Sequence, residues 1–372
     1  MNDNIIIRSY RPGDEEEIVE LLELAFNGWP NFDLSCTPLE HWIWKYKDNP
    51  RRKIIISVSV SSERIVGFQH TIPFGIKIGE NTVPCFQGID LVIHLDYRRK
   101  GIRRLLRKKK DALAEKEGIK FKISIKNNPI AIKSQKRRQY TILSDVISLV
   151  VRIRDIDLFL KTNRQEGSLL KKYGFHIISL GNRLKNLFSR DSIESDKVNE
   201  FEVVEIKEFD DRINLFWNQI KDHHSLIIEK KKEYLNWRYC DPRGGEFLVK
   251  IAESERRILG YIVLRIKCSQ EANLQNSVGY IVDLLTLPDR FDVAEALLDE
   301  GTQYFDENFV NLIQSFIVKN HPTETLFRKR FFLNSRINFS VAYKSFDISS
   351  RIDSLKNPEE RIHIQYGDTD WI

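Results

Sequence analysis

The chain of 372 residues repeats part of its own sequence at an offset of 193 residues. Four short segments recur in the same order and register. They are 44–48 (WKYKD) with 237–241 (WRYCD), 64–68 (RIVGF) with 257–261 (RILGY), 90–91 (DL) with 283–284 (DL), and Asn127 and Pro129 with Asn320 and Pro322. A chain of this length also exceeds what one hydrophobic core usually holds, so the repeat predicts two structurally similar units.

Each unit shows the same series of predicted elements. A β-branched strand at 5–10 precedes a helix with an acidic first turn and apolar residues at helical spacing, and the second unit begins in the same way at 201–206. Further strands are expected at 54–60, 65–78, 86–94, 121–125, 247–252, 258–266, 280–286 and 312–318. This order predicts a mixed α/β fold, with mixed central sheets flanked by helices. The predicted domains are 1–160 and 200–372, joined by an extension and linker at 161–199.

Composition and charge narrow the class of protein. Apolar residues make up 41% of the chain and charged residues 30%, which is typical of a soluble globular protein. No apolar run is long enough to span a bilayer and the first residues lack a signal-peptide pattern, so a cytoplasmic location is expected. The four cysteines form no CxxC pair, which argues against a metal site or a disulfide framework.

The strongest chemical signal is a basic run that follows a predicted strand. Nine of the thirteen residues at 98–110 are Lys or Arg, although the net charge of the chain is only +6. The run contains one glycine, Gly101, at the start of a predicted helix. A strand–loop–helix junction offers free backbone N–H groups and the positive end of a helix dipole, which suit a pyrophosphate. The flanking Arg and Lys side chains add charge-assisted hydrogen bonds.

Two other interpretations of the basic run are open, namely a solvated helix face and an RNA-binding patch. The position of Gly101 at the helix start favours phosphate binding over both of them. The mild net charge does not require a nucleic-acid partner either.

The loop resembles the acyl-CoA-binding motif of the GNAT superfamily of N-acetyltransferases, Gln/Arg-x-x-Gly-x-Gly/Ala. Arg98 and Gly101 match this motif, whereas Arg103 replaces its last small residue. The preceding segment 93–97 (IHLDY) resembles the family's Val-x-Pro-x-Tyr/Phe, and 128–131 (NPIA) resembles its Asn-x-x-Ala.

The chain departs from the family pattern downstream of that motif. The usual tyrosine is Gln135 here, and the usual Gly-Phe ending is Gln139 and Tyr140. The resemblance covers about residues 5–150 directly and extends to 201–345 through the internal repeat. It indicates a tandem, two-domain form of the family.

The resemblance implies a cofactor, a reaction and a set of contacts. The cofactor is acetyl-CoA, and the acceptor is a primary amine of a small molecule such as an amino sugar, a polyamine or an amino acid. The pantetheine arm pairs with the backbone of the strand at 92–95. The implied cofactor-binding residues are Val92, Ile93, His94, Leu95, Arg98, Arg99, Lys100, Gly101, Ile102, Arg103, Arg104 and Asn128.

The acceptor amine must lose a proton, so a general base is expected near the same strand. Asp90 is the best-placed candidate, followed by His94 and then His70. Because side chains alternate along a strand, Asp90 and His94 should share one face, and burial there should raise the pKa of Asp90. The alternative is a structural carboxylate, which the survival of Asp283 in the second unit favours.

The second unit has no phosphate-binding loop. The segment 287–295 (LPDRFDVAE) contains no glycine and places Asp289 and Asp292 where phosphates would lie. Like charges repel strongly in a partly dry pocket, so this unit should not bind coenzyme A.

Two aromatic segments have open roles. Phe26, Trp29, Phe32, Trp42 and Trp44 precede the second strand, where the resemblance implies an acceptor wall, although core packing explains them equally well. The chain ends in 366–372 (YGDTDWI), and some tandem GNAT enzymes place their terminus near the active site. An ordinary docked terminus is the alternative.

Two other functions remain open on the sequence. A tandem GNAT aminoacyl transferase that uses aminoacyl-tRNA would also employ the basic run. A non-catalytic GNAT-like binding protein would explain the missing tyrosine and the missing third small residue.

Overall fold

The computed structural model describes residues 4–30, 34–155, 158–159, 200–267, 277–319, 321–346 and 361–370. The predicted linker at 161–199, together with Phe32 and Asn320, lies outside the described residues. Helices flank one large sheet that contains parallel and antiparallel pairs, which confirms the predicted mixed α/β class. Among the described helices, none combines the length and apolarity that a membrane span requires.

The first half of the described chain contains six strands and four helices. The strands are β1 (Ile6–Ser9), β2 (Ser57–Ser61), β3 (Arg64–Ile78), β4 (Asn81–Ile93), β5 (Phe121–Lys126) and β6 (Thr141–Ile153). The helices are α1 (Glu15–Phe26), α2 (Pro38–Trp42), α3 (Ile102–Lys116) and α4 (Pro129–Arg137).

The second half contains eight strands and four helices among the described residues. The strands are β7 (Glu202–Ile206), β8 (Leu226–Ile228), β9 (Leu248–Ser254), β10 (Arg257–Lys267), β11 (Val278–Thr286), β12 (Leu312–Val318), β13 (Leu333–Ser345) and β14 (Ile362–His363). The helices are α5 (Arg212–Ile220), α6 (Lys232–Leu235), α7 (Phe291–Glu307) and α8 (Glu324–Lys329).

The sequence repeat corresponds to a repeat of structure. A π-helical turn spans Ile43–Lys47 in the first half and Asn236–Cys240 in the second, so each copy of the Trp-x-Tyr motif adopts this uncommon conformation. The strands β3 and β10 begin at Arg64 and Arg257, which the sequence offset aligns. These two repeated segments therefore occupy equivalent positions in the two halves.

The two halves exchange one strand each, β6 and β13, within one sheet. The strand order is β1-β2-β3-β4-β5-β13-β6-β12-β11-β10-β9-β7. The last strand of the first half, β6, pairs with β12 of the second half, while β13 pairs with β5 of the first. The sheet is therefore continuous across the halves. The domain division at 160 and 200 stays a prediction about sequence units.

The repeated tryptophans join the halves. The rings of Trp44 and Trp237 stack with centroids 5.1 Å apart and planes 22° apart. The indole N–H of Trp44 donates to the backbone carbonyl of Trp237 at 2.8 Å, and that of Trp237 donates to the carbonyl of Trp44 at 2.9 Å. This reciprocal contact places an approximate two-fold axis between the tryptophans. It explains why both copies keep the motif.

The sheet opens at one position in each half. The parallel strands β4 and β5 pair only over 85–87 and 121–123, after which they diverge. The parallel strands β11 and β12 pair over 278–281 and 312–315 and then diverge in the same way. Each opening leaves the unpaired edge of one strand beside the loop that leads to the following helix, α3 or α7.

Candidate functional site

The loop between β4 and α3 has an open backbone. The helix α3 begins after Gly101, whose φ of +78° lies in the left-handed region, and an added Cβ there would meet nothing within 4 Å. Among the described residues, the backbone N–H groups of Arg99 and Gly101 have no hydrogen-bond partner. Together with the N–H groups at the start of α3, they offer backbone donors that suit an anion.

A cleft of about 590 Å³ borders this loop. It is lined by the end of β4, the loop, the first turn of α3 and the last residues of α1, with Phe26, Leu91, Ile93, Arg98, Gly101 and Arg103 among the lining residues. In the part of the chain that the structure describes, Arg98, Arg99, Arg103 and Arg104 form no salt bridge with a carboxylate. Four guanidinium groups at or beside the cleft are therefore available for an anionic ligand.

The pairing of β4 with β3 determines which peptide groups face the cleft. The N–H of His94 donates to the carbonyl of Val66 at 2.9 Å. Because hydrogen-bonded and non-bonded pairs alternate in an antiparallel ladder, the peptide groups of Val92 also point toward β3, and those of Leu91 and Ile93 point into the opening. The side chain of Arg98 donates to the carbonyl of Ile93 at 3.3 Å, in agreement with this direction.

Asn128 lies at the start of the next helix, as the Asn-x-x-Ala pattern predicts. Its side-chain oxygen accepts hydrogen bonds from the N–H groups of Ile130 at 2.8 Å and Ala131 at 3.4 Å. It therefore caps α4, and only its amide group is left to contact a ligand. The side chain of Leu95 is 66% exposed at the outer edge of the loop.

Asp90 lies at a β-bulge near the C-terminal end of β4. Gln69 pairs with Leu91 while His70 pairs with Ile89, so Asp90 is the extra residue, and its φ of +39° is in the left-handed region. Simple alternation along the strand is therefore interrupted between Asp90 and His94. Alternation therefore cannot be used to compare these two side chains, and their placement on one face stays a prediction.

Asp90 is held by two donors that precede it in the chain. Its Oδ2 accepts hydrogen bonds from the Nζ of Lys45 at 3.1 Å and from the hydroxyl of Tyr46, and 13% of its side-chain surface stays exposed. Burial alone would raise the pKa of this carboxyl, but Lys45, together with the hydroxyl of Tyr46, outweighs burial and holds the pKa below its ordinary value. The prediction of a raised pKa is wrong, because the repeat motif supplies a cation at this position.

The two histidines considered as bases occupy other environments. His94 lines a separate depression beside Glu20 and Arg64, and the structure does not bring it into the cleft. His70 is fully buried, accepts a hydrogen bond from the indole of Trp42 at 3.0 Å and stacks on Tyr46. Burial, the largest effect, lowers the pKa of His70 to about 3, so this ring is neutral and has a structural role.

A second carboxyl group reaches Asp90 from the other end of the chain. We call 361–370 the C-terminal segment. Its last residue, Asp370, interacts electrostatically with Lys45, Asp90 and Lys126 of the first half. Burial, the largest effect, raises the pKa of Asp370, and Asp90 raises it further while Lys45 and Lys126 oppose the shift. Asp370 is therefore a carboxyl group with raised basicity beside the opening between β4 and β5.

The second half holds the C-terminal segment in place. Arg238, which the repeat aligns with Lys45, donates to the backbone carbonyls of Gly367 at 3.1 Å and Thr369 at 3.0 Å. The ring of Tyr366 stacks on Phe316 at 3.8 Å. These contacts fix the backbone directly before Asp370. They agree with the interpretation that the terminus lies near the site, although Trp371 and Ile372 are outside the described residues.

The same segment covers the opening between β11 and β12. Tyr366 packs on both strands, on Tyr280 of β11 and on Phe316 of β12. The pocket left beside that opening has a volume of about 120 Å³, compared with about 590 Å³ in the first half. Asp292 is engaged by Arg290 at 2.7 Å, so the local side chains neutralise each other. The second opening is therefore small and lacks the basic loop.

Asp283, the repeat counterpart of Asp90, is a structural carboxylate. It is fully buried, and its oxygens contact Lys230 at 2.8 Å, Tyr239 at 3.1 Å, Tyr261 at 3.0 Å and His363 at 3.1 Å. Burial alone would raise its pKa, but Lys230 and His363 lower it well below the ordinary range. Both halves keep the Tyr–Asp hydrogen bond, whereas only the first half leaves part of the carboxyl exposed.

Comparison with known protein families shows what part of the first half is similar to. Residues 6–127 match a family model described as an acetyltransferase (GNAT) domain. Residues 6–127, about a third of the chain, are therefore similar to GNAT acetyltransferase domains, and we call them the GNAT domain. No curated protein sequence is a significant match to the chain.

Solved structures show the same fold over most of the chain, beyond the GNAT domain itself. A probable N-acyltransferase from Enterococcus faecalis V583 superimposes with a TM-score of 0.59 at 12% identity, covering 91% of this chain and 72% of that one. A GCN5-related N-acetyltransferase from Anabaena variabilis gives 0.58 at 10% identity, with coverage of 93% and 74%. Saccharomyces cerevisiae N-myristoyltransferase with bound myristoyl-CoA gives 0.57 at 14% identity, with coverage of 92% and 79%.

Sequence reasoning located the loop of the GNAT domain but missed most of the groups around Asp90. Lys45 and Tyr46 belong to the repeated motif, but the repeat alone did not connect them with Asp90. Asp370 is far from Asp90 in sequence, and the acidic, aromatic ending of the chain was the one signal that pointed to it.

Proposed function

We propose that the chain is an acyl-CoA-dependent N-acyltransferase that transfers an acetyl group to a primary amine of a small molecule. The observation that carries this proposal is the loop before α3, beside an open strand edge. Among the described residues, the N–H groups of this loop have no acceptor and its guanidinium groups have no carboxylate partner. A pyrophosphate fits such a loop through its charge and its acceptor oxygens. The second half is proposed to be a GNAT-like unit that lost its cofactor loop.

Different residues of the GNAT domain would bind different parts of acyl-CoA. The N–H groups of Arg99 and Gly101 and the side chains of Arg98 and Arg103 would bind the pyrophosphate. The peptide groups of Leu91 and Ile93 face the opening and would pair with the pantetheine arm. When bound, acyl-CoA supplies a thioester carbon that bonds to the amine nitrogen while the C–S bond breaks and the sulfur leaves as the thiol.

Asp370 is proposed to accept the proton that the amine loses. Its raised pKa makes it a better base than Asp90, whose pKa is lowered by Lys45. Two carboxyl groups lie close together here, and their negative charge would attract the ammonium group of an acceptor. Lys45 keeps Asp90 ionised, and that charge in turn supports the basicity of Asp370. Asp90 is then a positioning residue rather than the base.

The acceptor class is proposed from the same charges. A compact cationic amine, such as an amino sugar, a polyamine or an amino acid, would be drawn to Asp90 and Asp370. The bulky walls around the site, among them the nearly buried ring of Trp29, favour a small acceptor over an extended macromolecule.

Turnover is the direct test of this function. The purified protein is incubated with acetyl-CoA and one representative of each amine class, and release of the free thiol is followed by absorbance with a thiol reagent. We expect at least one class to accelerate thiol release, with mass spectrometry showing one added acetyl group on the amine. Thiol release that stays at the rate without enzyme for every class, although acetyl-CoA binds, would make the chain a binding protein instead.

A further inference from the structure

A buried lysine lies behind the point where β4 leaves β5. Lys110 of α3 is 4% exposed, and its Nζ lies 4.6 Å from the centroid of the Phe86 ring. An added Cβ on Gly88 would lie only 2.9 Å from that Nζ. Gly88 is exposed and is the first residue of β4 beyond the last pair with β5. The absence of a side chain at Gly88 therefore leaves the ammonium next to the inner end of the opening.

The charges around Lys110 are unbalanced. The Nζ atoms of Lys110 and Lys122 approach the same carboxylate, Asp111, at 3.3 and 2.6 Å. Arg107 adds a third positive charge. The pKa of its guanidinium is lowered by burial, the largest effect, and by the charges of Arg138 and Arg103. Burial, the largest effect, also lowers the pKa of Lys110 to about 8, with Lys122 and Arg107 adding to the shift and Asp111 opposing it. A buried cation with a shared counter-ion favours a further anion.

The direction of the cofactor places the acyl group toward Lys110. This step rests on the proposed function, in which the pyrophosphate lies at Gly101 and the pantetheine arm runs back along β4 past Ile93 and Leu91. Continuing in the same direction, the acyl group passes Asp90 and then reaches Gly88. Those two residues are roughly 7 Å apart along a strand. A short acyl chain can therefore bring its far end to the ammonium of Lys110.

We propose that the acyl donor this cleft binds best carries a carboxylate at the far end of its acyl group, as in the CoA monothioester of a short dicarboxylic acid, and that Lys110 binds this carboxylate. Acetyl-CoA, which has no such group, uses the CoA contacts alone. Lys110 is thereby a specificity-determining residue, separate from the loop that holds the pyrophosphate.

Binding of matched thioesters to the intact protein tests the proposal. Succinyl-CoA and butyryl-CoA have acyl chains of equal length and differ in the terminal carboxylate. We expect calorimetry to show succinyl-CoA binding roughly tenfold tighter than butyryl-CoA, the effect of one charge-assisted contact. Lys110→Met should abolish this preference and leave the affinity for butyryl-CoA unchanged. Lys108→Met, an exposed position on the same helix, should keep the preference.

The outcomes separate this proposal from the proposed function. Equal affinity of the unaltered protein for both thioesters would overturn the role of Lys110 while leaving acyl-CoA binding intact, and this comparison needs no variant to fold. If Lys110→Met weakens both thioesters and free CoA equally, the lysine serves the CoA moiety and the proposal is also overturned. If none of the thioesters or CoA binds, the proposed function itself fails.

Discussion

Asp370→Asn is expected to lower the rate of acetyl transfer by about 10²–10⁴-fold, the usual contribution of a general base. Among the described residues, Asp370 is the only carboxyl group near the opening whose pKa is raised by its surroundings, and the substitution removes it. The amide keeps the size of the side chain, and the contacts of Arg238 are to backbone carbonyls, so the C-terminal segment should stay in place. The melting temperature and the affinity for acetyl-CoA should therefore remain near those of the unaltered protein.

The pH dependence of the rate provides a second readout for Asp370. A base must be ionised, so the rate falls as the pH drops through the pKa of this carboxyl. Because burial and Asp90 raise that pKa, the loss should begin at a higher pH than for an ordinary aspartate, whose pKa is about 4. Initial rates measured across pH should show this acidic limb in the unaltered protein and in Asp292→Asn, an acid of the second half outside the site. An Asp370→Asn variant with full activity and an unchanged pH profile would assign the proton transfer to another group.

Gly101→Asp is expected to abolish binding of acetyl-CoA. The position itself can take a side chain, since an added Cβ meets nothing within 4 Å, and the positive φ of +78° costs roughly 1–2 kcal/mol for a non-glycine residue. The new carboxylate would lie beside the N–H groups that are proposed to bind the pyrophosphate, and its negative charge would repel that of the pyrophosphate. A ligand that binds only the folded state raises the melting temperature, so the expected result is loss of the acetyl-CoA-induced shift.

Gly118→Asp is a closely matched control for that variant. Gly118 follows the other end of α3, has a φ of +72° and also has no atom within 4 Å of an added Cβ. The two substitutions therefore carry the same backbone strain and the same added charge. Gly118→Asp should lose a similar amount of stability yet keep the acetyl-CoA shift. If acetyl-CoA raised the melting temperature equally in Gly101→Asp and Gly118→Asp, the loop would not be part of the binding site.

Local features of the fold could be predicted from the sequence, and contacts distant along the chain could not. The strand, the glycine and the basic helix around Gly101 are contiguous, so their pattern alone indicated an anion-binding loop. The exchange of β6 and β13 between halves depends on pairing of strands almost two hundred residues apart, which no local period encodes.

The environment of Asp90 shows the same limit at the level of one side chain. Burial suggested a raised pKa for Asp90, but its pKa is lowered by Lys45. A helical turn 45 residues earlier in the chain brings the Nζ of Lys45 to 3.1 Å from the Oδ2 of Asp90. Predicting the position of Asp370 would require knowledge of further distant contacts, because this position follows from the contacts of Arg238 and Tyr366 in the second half. The bulge at Asp90, finally, is a backbone irregularity that alternation along a strand cannot anticipate.

Calorimetric titration of the unaltered protein with acetyl-CoA tests the central claim most directly. The first half has the open loop and the larger cleft, whereas the second opening is covered by the C-terminal segment and has no basic loop. The predicted result is saturable binding with one acetyl-CoA per chain. A stoichiometry of two, or no heat of binding at millimolar ligand, would contradict the assignment of a single acyl-CoA site to the GNAT domain.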